Sequence, residues 1–109
     1  MKALWLGFIV YEHDWCPVRH TLMRMFTVAD SQEKAAELMT KYVQARLEGR
    51  PTKGYFNICD VVGPWLGFQR IPAPELANTL AMYGFAFVDP SPRPKSNTVV
   101  SARVKELLR

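Results

Sequence analysis

The stretch Phe26-Thr27-Val28-Ala29-Asp30-Ser31-Gln32-Glu33 decides the fold, because it marks the change from a strand to a helix. The side chain of Asp30 or Ser31 can accept a hydrogen bond from an unpaired N–H group at a helix start. Glu33, three residues after Asp30, can reach back as in a capping box. The stretch therefore predicts a strand–helix junction in the middle of the chain, and it contains no catalytic motif.

The helix that follows is predicted over Gln32–Glu48. Its apolar residues recur at the i, i+3, i+4, i+7 spacing of one helical face. These residues are Ala35, Leu38, Met39, Tyr42, Val43 and Leu47. Glu37 and Lys41 are spaced for an ion pair on the exposed side. Gly49 and Pro51 mark the end of the helix.

Two strands are predicted before the junction. Ala3–Tyr11 is apolar on both faces, which indicates a central strand or one that is covered on both sides. Arg19–Val28 is the second strand, and we expect the pair to form a hairpin with a long loop. The segment Glu12–Pro17 is expected to end the first strand.

A third strand is predicted over Tyr55–Val62. Gly63-Pro64 can then turn the chain, so that Trp65–Ile71 returns as a fourth strand. Pro74 suits the first turn of a second helix, and Gly84 ends that helix.

The last part of the chain contains a short strand, a connector and a helix. Phe85–Val88 is predicted as the fifth strand. Pro90, Pro92 and Pro94 make a stiff, extended connector. Thr98–Leu108 is predicted as a final helix with basic side chains.

The order of the elements indicates a fold class. From the second strand onward it runs strand, helix, strand, strand, helix, strand, which is typical of a ferredoxin-like two-layer α+β sandwich. The chain adds an N-terminal strand and a C-terminal helix to that order. We expect residues 1–89 to form a single α+β domain and residues 90–109 to form the proline-rich connector with its basic helix.

Size and charge limit the class of protein. The 109 residues suffice for one domain, and the net charge is +4. Residues 41–109 carry ten basic and five acidic side chains, a balance that suits contact with phosphates or with an acidic protein surface, or serves solubility. The two cysteines show no CxxC pair, and the apolar Ala3–Tyr11 is far shorter than the roughly 20 residues of a membrane helix. We expect a cytoplasmic protein without a membrane segment.

A metal or thiol site is one alternative function. His13, Cys16 and His20 are of the types that bind zinc, and a fourth ligand could come from Cys59, Asp14 or Asp60. Either cysteine could be a nucleophile, and Cys16 has histidines nearby that could activate it. The spacing matches no standard zinc pattern, so a polar hairpin loop with a structural thiol is the simpler interpretation.

Single-stranded nucleic-acid binding is a second alternative. Gly84–Val88 resembles the core of the first RNP motif of RNA-recognition-motif domains, which reads Gly-aromatic-Gly/Ala-Phe-Val. The resemblance implies that Phe85 and Phe87 stack on bases from a sheet face. The residues also fit a simpler interpretation, in which Gly84 caps the helix and both phenylalanines lie in the core.

Basic residues would supply the phosphate contacts of such a site. They are Lys41, Arg46, Arg50 and Lys53, which run from the end of the long helix into its loop. If they contact phosphates, binding should weaken steeply with salt. A solvated surface would contain the same residues.

The leading interpretation is a small non-enzymatic interaction protein. The sequence contains no P-loop, no GxGxxG, no paired-carboxylate signature and no GxSxG, and no cofactor is expected. Trp15, Trp65 and Phe68 have the residue types that anchor protein interfaces. We expect an inhibitor or adaptor that docks on a larger protein or ribonucleoprotein, of the kind encoded by phages and mobile elements as anti-defence or anti-CRISPR inhibitors. A homodimer that covers one face of the first strand is a further expectation.

Overall fold

Four strands and three helices make up the part of the chain that the structure describes. This computed structural model describes residues 1–13, 16–47, 56–66, 70–91 and 99–109, of which 11–13, 16–22, 47 and 56–59 are described by their backbone alone. The elements are β1 (Ala3–His13), β2 (Cys16–Ala29), α1 (Gln32–Leu47), β3 (Phe56–Trp65), α2 (Ala73–Met82), β4 (Ala86–Val88) and α3 (Val100–Leu107).

The strands form one mixed sheet in the order β3-β1-β2-β4. β1 is antiparallel to both of its neighbours, whereas β2 and β4 run parallel. The α+β class, the β1–β2 hairpin and the central position of β1 are therefore confirmed. β1 is apolar on both faces because helices pack on both sides of the sheet.

Side chains alternate between two cores along β1 and β2. On one face, Trp5, Ile9 and Met25 pack against α1. On the other face, Leu4 and Phe26 pack against α2 and α3. Each core holds side chains that are completely buried, so the alternation of apolar residues on these strands fixes which face receives which helix.

The ferredoxin-like order is not confirmed, because the predicted turn at Gly63-Pro64 lies inside β3. This peptide bond is cis, and β3 continues to Trp65. β3 lies at the edge of the sheet, where a proline without an N–H group is tolerated. The register shifts between Leu4 and Leu6, so a bulge takes up the extra residue and the strand does not turn back. Of the predicted fourth strand, Trp65 is the last residue of β3, and Leu66, Arg70 and Ile71 are described outside any strand.

The expected break after Tyr11 is also wrong. β1 extends to His13 and β2 begins at Cys16, with His13 opposite Cys16 and Glu12 opposite His20. The cross-strand pairing continues the hairpin through polar residues, because only one face of an antiparallel pair needs to be apolar.

The predicted start of α1 and its ion pair are confirmed, whereas Gly49 and Pro51 lie outside the described residues. The hydroxyl of Ser31 accepts a hydrogen bond from the N–H of Lys34 at 3.1 Å, which makes Ser31 the cap of α1. Lys41 and Glu37 form their ion pair at 3.0 Å. The C-terminal helix α3 packs on α2, with the side chain of Val104 fully buried between them.

Candidate docking surface

A half-exposed apolar patch lies on the sheet face that α2 and α3 cover only in part. Phe8 on β1 has Arg24 of β2 opposite it on one side and Asp60 of β3 on the other. Directly paired residues share a face, so these three side chains form one row across the sheet. Val62, opposite Leu6 in the next row, is 47% exposed. We call Phe8, Arg24, Asp60, Val62 and Phe85 the sheet patch.

Phe85 reaches this row because of the way in which α2 ends. Gly84 has a φ of 86°, its N–H donates to the carbonyl of Ala81, and the N–H of Phe85 donates to the carbonyl of Leu80. These two hydrogen bonds define a Schellman motif, which needs glycine at the left-handed position. The predicted helix stop at Gly84 is thus confirmed, and it aims Phe85 at the sheet.

The ring of Phe85 contacts two members of the row. Its centroid lies 5.9 Å from that of Phe8 in an edge-to-face arrangement. The guanidinium carbon of Arg24 lies 5.5 Å from the same centroid. Aromatic pairs and cation–π contacts of this kind hold side chains in defined positions at a surface. These contacts join Phe8, Arg24 and Phe85 into one cluster on the sheet face.

The edge of the sheet patch continues onto the end of α2. Met82 and Tyr83 directly precede the Schellman glycine and are 80% and 71% exposed. Large apolar side chains that remain exposed side by side are typical of interaction surfaces. Arg24 and Asp60, both exposed, place one positive and one negative charge on either side of Phe8.

The predicted stacking residues have different roles in the structure. Both are half-buried and pack against the core under α2 and α3, and the ring of Phe87 lies on that of Phe26, with centroids 5.3 Å apart. Phe85 alone of the two reaches the sheet patch. The interpretation of both phenylalanines as one stacking platform is therefore not what the geometry favours.

Of the four basic residues predicted to contact phosphates, the two that are described lie on the other side of the sheet. Lys41 and Arg46 are on α1, which packs on the face opposite to Phe85. Lys41 binds Glu37, and the guanidinium carbon of Arg46 lies 5.7 Å from the ring centroid of Tyr42. The structure does not bring either of them to Phe85, although Lys41 and Phe87 line the same cavity. Arg50 and Lys53 lie outside the described residues.

Among the predicted interface anchors, Trp65 is half-buried. Its indole N–H donates to the carbonyl of Ile71 at 2.9 Å, and its ring packs against the core under α2 and α3. This hydrogen bond connects the end of β3 to Ile71, which lies just before α2. Trp15 and Phe68 lie outside the described residues, so the predicted three-residue interface stays a prediction.

The proposed metal and thiol residues are placed only by their backbone. His13 and Cys16 face each other across the hairpin, while His20 pairs with Glu12. Among the side chains that the structure describes, no group of three His, Cys, Asp or Glu residues could hold a metal ion. The site formed by His13, Cys16 and His20 stays a prediction.

Sequence reasoning missed Arg24, Asp60 and Val62. Each looks like an ordinary strand residue, because their proximity depends on the register of β1 with both neighbours. The available signal was the apolar character of both faces of β1, since Phe8 lies on one of them.

Comparisons with known proteins give no relative: no family model, no curated protein and no solved structure matches the chain. In the described part of the chain, no helix is long and apolar enough to cross a membrane. The function is therefore inferred from the surface of the molecule.

Proposed function

We propose that this chain is a small non-enzymatic protein-binding module, an inhibitor or adaptor that docks on a larger protein through the sheet patch. The observation that supports this most is the pairing of Phe8 with Phe85 on a sheet face between two charged side chains. An apolar centre with a polar rim is the usual anatomy of a protein interface. Met82 and Tyr83 extend the apolar area at one side.

The charge of the patch favours a protein partner over a nucleic acid. Arg24 and Asp60 balance each other on either side of Phe8. A site for single strands combines aromatic side chains with a positively charged groove that follows the phosphates. Here the described lysines and arginines of α1 lie on the opposite face of the sheet, and Asp60 would repel a phosphate.

The experiment compares captured proteins between matched variants of the full chain. The wild type, Arg24→Glu, the double variant Phe8→Ser with Phe85→Ser, and Lys105→Glu as control are each immobilised and exposed to extract of the source organism. The control changes an exposed residue of α3, away from the patch. We expect the wild type and the control to retain the same protein, and both patch variants to lose it.

Two outcomes would contradict the proposal. One is retention of the same protein by the patch variants, whose fold is checked by thermal denaturation and of which Arg24→Glu alters only an exposed side chain. The other is salt-sensitive binding of fluorescent single-stranded RNA or DNA that both patch variants abolish, because that result assigns the patch to nucleic acid.

A further inference from the structure

A second surface, separate from the sheet patch, lies along the outer edge of β4. Two adjoining cavities of about 440 Å³ and 250 Å³ share Leu38 and Pro90 and form one groove. One wall is a single face of α1, made by Lys34, Leu38, Lys41 and Tyr42 at helical spacing. The other wall is formed in the larger cavity by the end of β4, and in the smaller one by Lys2, the end of β2, Leu107 of α3 and the residues that follow β4. We call this the edge groove.

The geometry of β4 leaves space for another strand in the edge groove. β4 is the last strand of the sheet, and within the described residues no strand pairs with its outer side. The carbonyl of Val88 faces β2, because it accepts a hydrogen bond from the hydroxyl of Thr27 at 2.6 Å. Alternation along a strand then turns the N–H and C=O of Phe87 toward the groove.

The wall of the edge groove that α1 forms is apolar where a side chain of an added strand would point. Leu38 and Tyr42 of α1 are only half-buried, although they continue the stripe whose Met39 and Val43 are completely buried. The stripe of α1 thus extends past the last strand of the sheet. A fifth strand beside β4 would therefore lie against Leu38 and Tyr42.

The charged residues that line the edge groove determine which extended segments it can bind. Lys2, Lys34 and Lys41 line the two cavities, together with Asp30 and Asp89. The carboxylate of Asp89 is already bound by the guanidinium of Arg103. Lys34 and Lys41 pair with Glu37 only at the surface, where ion pairs are weak and readily exchanged. The groove therefore offers mostly positive charge to an incoming strand.

We propose that the edge groove binds an extended, acidic segment of a partner protein, which pairs with β4 as a fifth strand. Its main-chain groups hydrogen-bond to Phe87, its carboxylates face Lys34 and Lys41, and its apolar side chains contact Leu38 and Tyr42. Strand addition of this kind obtains affinity from the backbone and specificity from alternate side chains. The proposal does not depend on the sheet patch.

The test is a selection from a displayed library of random ten-residue peptides on the immobilised full chain. We expect the enriched peptides to alternate apolar with acidic residues. Their affinity should fall about tenfold or more with the double variant Lys34→Glu and Lys41→Glu, and stay unchanged with Lys105→Glu. Both variants change exposed side chains of helices, and thermal denaturation checks that they fold.

A second measurement distinguishes strand addition from other docking. Two versions of one selected peptide carry N-methyl groups on alternate sets of residues, so that each lacks the N–H donors of one edge. A peptide paired with β4 should lose binding with one set and keep it with the other.

Three results would overturn the proposal. The first is a selection that enriches no peptides, basic ones, or ones with helical spacing. The second is equal binding to the charge-reversed variant. The third is equal tolerance of both N-methylated sets.

Discussion

The guanidinium of Arg103 binds the carboxylate of Asp89 with two hydrogen bonds, of 2.8 Å from Nε and 2.9 Å from a terminal nitrogen. The same arginine donates to the carbonyl of Ser91 at 2.8 Å, and only 5% of it is exposed. These bonds join α3 to the segment that follows β4. The C-terminal helix is therefore fixed to the rest of the fold by a planar, bidentate contact.

Loss of this contact should lower the melting temperature. We expect Arg103→Met to reduce it by several degrees, because the mostly buried carboxylate of Asp89 then keeps its negative charge and loses the guanidinium that balances it. Arg103→Lys should restore only part of the loss, since an ammonium group cannot make the planar pair. Calorimetry measures both, with Lys105→Met on the same helix as the control. An unchanged melting temperature for Arg103→Met would show that the pair does not hold α3.

The same pair should not weaken at alkaline pH. The hydrogen bonds with Asp89 raise the pKa of Arg103 above its ordinary value. A raised pKa in the folded state means that the contribution is complete below the ordinary pKa of arginine and lost only above it. The difference in melting temperature between the wild type and Arg103→Met should therefore be constant from pH 7 to about pH 10. A difference that shrinks over this range would contradict the assignment.

Because of Glu37, the stability of the folded state should depend slightly on pH in the acidic range. Its hydrogen bond with Lys41, followed by the charge of Lys34, lowers the pKa of Glu37 below its usual range. A lowered pKa stabilises the folded state above the pKa of the unfolded chain, and the contribution is lost as the pH falls through the folded value. Glu37→Gln should thus be slightly less stable at pH 7 and equal to the wild type near pH 3, by chemical denaturation. Equal stability at pH 7 would show that this exposed pair contributes nothing.

A single methyl group added at Gly84, at the end of α2, should lower the free energy of unfolding. Gly84→Ala forces an L residue into the left-handed region, at a cost of about 1–2 kcal/mol in the free energy of unfolding. The matched control is Asn78→Gly, at an exposed position of α2 outside the motif, which should cost about 0.5 kcal/mol without moving Phe85. In the nuclear magnetic resonance spectrum, only Gly84→Ala should shift the signals of Phe8. Shifts of equal size in both variants would contradict the link between the Schellman motif and the patch.

The close approach of α1 to the sheet depends on Gly7. A Cβ atom at this position would overlap the sulfur of Met39, so Gly7→Ala requires that side chain to move. We expect Gly7→Ala to cost about 1–3 kcal/mol in the free energy of unfolding. In the background of Met39→Ala the same change should cost less, because the obstructing atoms are gone. Additive costs in a double-mutant cycle would show that the two residues do not compete for space.

Local signals in the sequence predicted most of the elements. Ser31 marks the start of α1 and Gly84 the end of α2, since both act on backbone groups a few residues away. The apolar character of both faces of β1 predicted its central place. Such features depend on neighbours along the chain, so the sequence alone contains them.

Features that depend on distant pairing were harder to predict. Pro64 looks like part of a turn, and only the edge position of β3 together with its bulge explains why the strand continues. β4 has three residues, too few to show that it runs parallel to β2. The sheet patch joins residues from β1, β2, β3 and the end of α2, so its composition follows from the register and from no motif.

The most direct test of the proposed function is site-specific photo-crosslinking from the sheet patch. A photoreactive phenylalanine analogue replaces Val62 in one variant and Tyr83 in another, both exposed, while Gln44 on the opposite side of the sheet serves as control. Illumination in extract of the source organism should give the same protein adduct from positions 62 and 83, and that adduct should be absent from position 44. The same adduct in equal yield from position 44, or no adduct from the patch, would contradict docking through this surface.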